Sequence, residues 1–197
     1  MDTQSNLELA ERVQLIESML AEGRRKCESW GWTFVLWGVA YYIAYFWSTR
    51  GQFAYAWPVT VIAASLVTAA GFMRKDSGPI TTMGRAIASI WLATGLSMFI
   101  LFQALSYANH LGFRTFVCTA SAMLGLANAA CGLTLKWKAE FACGVVWWAA
   151  AVAASFGSAD VAGDAFLAAI FLCQIVFGIY AMILESRRRR PNGAAHA

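Results

Sequence analysis

Six long stretches free of Asp, Glu, Lys, Arg and His dominate the chain: residues 29–48, 53–73, 86–107, 115–135, 141–158 and 165–184. A helix that crosses a bilayer needs about 20 mostly apolar residues, since each residue rises about 1.5 Å through roughly 30 Å of hydrocarbon. The runs are continuously apolar rather than alternating and are rich in Ala and Leu, which excludes the strands of a membrane barrel. The pattern predicts an all-α polytopic membrane protein, a bundle of six transmembrane helices. Well over half of the chain lies in these spans.

The links between them are short and carry turn or break signals, such as Arg50-Gly51, Asp76-Ser77-Gly78-Pro79, Asn109-His110, the charged run Lys136–Glu140, and Gly163 between Asp160 and Asp164. Short links make successive helices antiparallel neighbours, so three sequential hairpins are expected. The chain divides into a leading segment 1–28, the bundle 29–184 and a basic tail 185–197.

The leading segment has a different rhythm. Leu9, Val13, Ile16 and Leu20 recur at helical spacing, with Glu8, Glu11, Arg12 and Glu17 around the remainder. That is an amphipathic helix over about residues 5–26, opened by the capping-box form Ser5-Asn6-Leu7-Glu8 and weakened at its end by Gly23. Its apolar stripe has two readings: packing on the headgroups or on the bundle's own loops, or contact with a second copy or a cytoplasmic partner protein. Its acidic first part argues against a nucleic-acid-binding arm.

Composition agrees with the pattern. Apolar residues make up 59% and charged residues 13% of the 197, against about 45–50% and 25% in ordinary soluble domains. Charge adds orientation. Of the fifteen Lys and Arg residues, thirteen fall on the leading segment, the second and fourth links and the tail, and only Arg50 and Arg114 fall on the other side. Basic residues stay in the cytoplasm, so both termini are expected there, in an inner (plasma) membrane. The same bias supports the Ala- and Gly-rich span 141–158, because without it the four arginines Arg187, Arg188, Arg189 and Arg190 would lie outside. Those four are expected to fix topology and attract anionic lipid. The first apolar run begins after 28 residues and is too long for a cleaved leader, so it is expected to serve as a signal anchor.

Candidate chemistry is sparse. No ionisable side chain lies in a span, which weighs against proton-coupled pumps and voltage sensors. Pro58 sits near one end of its span and no mid-span Pro/Gly breaker pair is visible, which weakens a transporter reading. Three amides remain, Gln103, Asn128 and Gln174; hydrocarbon cannot satisfy them, so each is expected to face another helix, and together they mark a candidate polar cavity. Phe34, Trp37, Tyr41 and Tyr45 form an aromatic face along the first span, suited to bulky packing or to a lipophilic or cationic ligand. Ser121, Gly125 and Ala129, with Cys118 and Gly132 nearby, form a small-residue contact stripe in the fourth span.

The five cysteines (Cys27, Cys118, Cys131, Cys143, Cys173) show no metal or disulfide spacing and read as small packing residues. His110, Asp160 and Asp164 share one side without a ligand signature. No hydrolase, phosphate-loop or dinucleotide motif occurs. No cofactor, metal or catalytic residue is expected. The sequence favours a non-enzymatic membrane-embedded interaction, sensory or regulatory component over a small transporter or channel for a small or lipophilic solute. A lipid-modifying enzyme using His110 and Asp160 ranks third.

Overall fold

The fold is seen in a computed structural model that describes residues 2–74 and 82–189, the side chains of 2–7, 52–54 and 189 excepted. Every element is helical: α1 (Asp2–Ser29), α2 (Gly31–Trp47), α3 (Phe53–Arg74), α4 (Thr82–Tyr107), α5 (Phe113–Thr134), α6 (Lys138–Phe156), α7 (Ala159–Ile170) and α8 (Phe177–Arg189). The turn Ser48–Gln52 joins α2 to α3, and a segment of wider, π-type turns, Phe171–Val176, joins α7 to α8 into one long rod. Among the described residues five helices are long and apolar enough to cross a membrane: α3, α4, α5, α6 and the α7–α8 rod. α2, mostly apolar and 17 residues long, is shorter.

Several boundaries differ from the sequence expectation. α1 runs on to Asp2 and to Ser29, past both the expected capping start at Ser5 and the break at Gly23. Gly23 instead provides clearance, since a methyl there would meet Met83 and come 2.7 Å from the Leu135 side chain. Lys138–Glu140, expected as a loop, forms the first turn of α6. The turn expected around Gly163 lies earlier, at Gly157 and Ser158, where the Ser158 hydroxyl accepts from the Val161 N–H at 3.3 Å and caps α7. Arg187 and Arg188 continue α8 rather than forming a loose tail. Arg190 and the rest of the tail, and the link residues Lys75 to Pro79, lie outside the described residues.

α5 is the centre. About 61% of its most apolar window is buried, against 6% for α4 and 17% for α3. The reason is local: the small residues Ser121, Gly125, Ala129 and Gly132 let α6 come close, with the Trp148 ring lying over Gly125. A methyl on Gly144 would come 2.8 Å from the Ala129 backbone nitrogen, and one on Gly132 would strike the backbone of Phe141. The small-residue stripe is therefore a contact inside one chain. α2 and the α7–α8 rod close the core, through backbone approach at Gly31 and Gly178. α3 leans on α2 and α4 on α5, so these two form the outer wall.

Candidate functional site

The most unusual geometry lies at the end of the bundle where α1 leaves it. Leu9, Val13, Ile16, Leu20, Gly23 and Cys27 fall on a single stripe of α1, because spacings of 3 and 4 residues return to the same helix face. The lower half is docked: Leu20 is 8% exposed and Cys27 3%, and Gly23 abuts Met83 of α4 and Leu135 beyond α5. The upper half is bare, with Leu9 64%, Val13 50% and Ile16 55% exposed. Of the four residues expected to face a partner, Leu20 is thus taken up by the chain's own bundle and three are open.

Two buried carboxylates lie at this junction. Glu28, 2% exposed, receives Arg188 of α8 at 3.0 Å through one oxygen, while its other oxygen is buried with no hydrogen-bond partner. Burial pushes the Glu28 carboxyl up from the usual range, against the downward pull of Arg188 and Arg24. Glu140 is fully buried at the start of α6, and neither of its oxygens has a hydrogen-bond partner. Cys27 and Cys131 are its titratable neighbours. Burial, and then the Glu140 carboxyl, push the Cys27 thiol far up, which keeps it unreactive. Sequence reasoning missed both acids, since each borders an apolar run in a stretch that reads as exposed. Arg188, expected to set topology and attract anionic lipid, also pairs α8 with α1; Arg187 is exposed.

Inside the bundle the three amides do not converge. Asn128 is fully buried on α5, where its Nδ2 donates to Leu124 O at 2.8 Å in its own helix and its Oδ1 is without a partner. The expected bond to another helix is replaced by this local one. Gln174 is 2% exposed within the π-type segment, against Gly38 of α2. Gln103 is exposed, contrary to expectation. It lies one turn from the end of α4, within reach of headgroup water.

The aromatic face is divided among neighbours. Phe34 meets Trp91 and Phe177 edge-on, the Trp37 indole N–H donates to the Thr68 hydroxyl at 3.2 Å, Tyr41 lies 6.2 Å from Trp57 and Tyr45 lies 6.1 Å from Phe113. These rings fill four different helix contacts rather than line one pocket. His110 is exposed after α4, and among the described residues it forms no three-ligand group with Asp160 and Asp164. All five cysteines are free thiols.

Comparison of the chain with protein-family models, curated proteins and solved structures gives no match, so the functional reading rests on these residues alone.

Proposed function

We propose that this chain is a six-span inner-membrane protein with both termini in the cytoplasm, acting as a non-enzymatic interaction, sensory or regulatory component whose N-terminal helix is its contact arm. The single observation that supports this is the divided stripe of α1: one face, half docked on the bundle and half bare. Exposed Leu, Val and Ile on a solvated helix are stabilised by burial, at about 1.5–3 kcal/mol for each side chain fully covered. A partner helix or a second copy is the natural cover. α2 counts as the sixth crossing because its apolar residues, with Ser48 and Ser29 at its ends, approach the needed length, and because thirteen basic residues then share one side.

The test is the pair Val13→Asp and Ile16→Asp in the full chain. Both positions are exposed, so the bundle is expected to keep its thermal stability while the oligomeric state or the co-purifying partner is lost. Unchanged assembly on both counts overturns the reading.

A small transporter or channel is the second reading, favoured by the π-type segment that places Gln174 in the middle of the last apolar rod. Such turns leave backbone groups without their regular helical partner and recur at functional sites.

A further inference from the structure

Away from the α1 junction, a groove runs along the outer surface of α2 between Val39, Tyr42, Ile43, Phe46, Trp47 and Arg50. Spacings of 3 and 4 residues put Val39, Ile43, Phe46 and Arg50 on one stripe, with Val39 47%, Ile43 54% and Phe46 57% exposed. The groove is held in shape by its neighbours. The Tyr42 hydroxyl donates to Leu167 O of α7 at 2.9 Å, and the Phe46 ring stacks on Tyr42 at 6.2 Å with an interplanar angle of 18°. Tyr45 meets Phe46 edge-on at 5.6 Å from the other side. A wall fixed from two sides is preformed, so an occupant spends little on ordering it.

The polar end of the groove is Arg50. It sits in the turn after α2, at φ −86° and ψ 18°, followed by Gly51 at φ +82°, a conformation that favours glycine. Arg50 is exposed, and no described carboxylate forms an ion pair with it. From Val39 to the end of α2 at Trp47 the helical rise is about 12 Å, with Arg50 beyond it, the reach of much of an acyl chain. A cation at headgroup depth above an apolar trough matches one occupant by charge and polarity alike. We propose that this face of α2 is a binding site for an anionic glycerophospholipid of the adjoining leaflet, preferred over zwitterionic lipid, its phosphate held by Arg50 and one acyl chain lying along Val39, Ile43 and Phe46. Guanidinium and phosphate pair in a planar, two-point geometry that a hydrated ammonium does not reproduce. This site rests on the proposed reading of α2 as a membrane crossing and is independent of what α1 contacts.

The experiment uses the full chain in phosphatidylcholine vesicles doped with phosphatidylglycerol carrying a photoactivatable acyl chain, with crosslinks mapped to peptides. The expected result is a peak over residues 39–47 that falls about fivefold in Arg50→Gln, while labelling of the exposed α4 face at Leu92, Leu96 and Phe99 stays constant. A diacylglycerol probe with the same chains and no phosphate is expected to lose the peak in the unchanged protein. Equal labelling of the α2 and α4 faces, a peak indifferent to Arg50→Gln, or a peak retained by the phosphate-free probe each overturns the proposal in favour of unselective solvation by lipid.

Discussion

Glu140 is the residue least explained by packing. Its carboxyl is fully buried, has no hydrogen-bond donor and faces no cation across a salt bridge among the described residues. The one favourable field is that of the α6 N-terminus, where it occupies the first turn. A helix end contributes about 0.3–1 kcal/mol, and up to about 2 in partly buried settings, while an uncompensated buried polar group costs about 1–3. The balance is unfavourable, so Glu140→Leu is expected to stabilise the bundle by about 1–2 kcal/mol. Thermal unfolding in detergent measures it; a marked loss of stability would mean that the carboxyl has a partner and the argument fails. A residue kept at a cost to folding is a reason to assay that variant for loss of the arm's contact as well.

At the scale of elements, the sequence makes the apolar rods plain because hydrocarbon imposes one requirement on every residue of a span, and a run of twenty meets it by composition alone. The α1 helix is legible for a similar reason, as a 3–4 spacing survives without knowledge of the neighbours. What packs on what is not legible in this way. Leu20 and Ile16 look alike on the stripe, yet only Leu20 lies low enough to meet the bundle. Gly23 reads as a breaker and acts as a clearance, because the distinction depends on Met83 and Leu135, distant in sequence. The π-type turns at Phe171–Val176 leave no mark in the apolar pattern either. If those turns and Gln174 serve solute passage, reconstituted vesicles will show a flux that Gln174→Leu abolishes. Silence across a broad panel of small solutes, before and after the change, counts against the transport reading.

At the scale of the whole molecule, the arrangement is a tightly closed core of α5, α6, α2 and the α7–α8 rod, an outer wall of α3 and α4, and an arm that continues one docked face beyond the bundle. Arg188 and Glu28 join arm to rod through an ion pair at 3.0 Å. The central claim is that the bare half of the arm is presented to the cytoplasm and covered there. The direct measurement is the rate at which a membrane-impermeant maleimide labels Ile16→Cys, relative to the unsubstituted chain. We expect labelling only from the cytoplasmic face, rapid in the detergent-purified monomer and severalfold slower in native membranes. Labelling from the opposite face, or at one rate in both settings, contradicts the account.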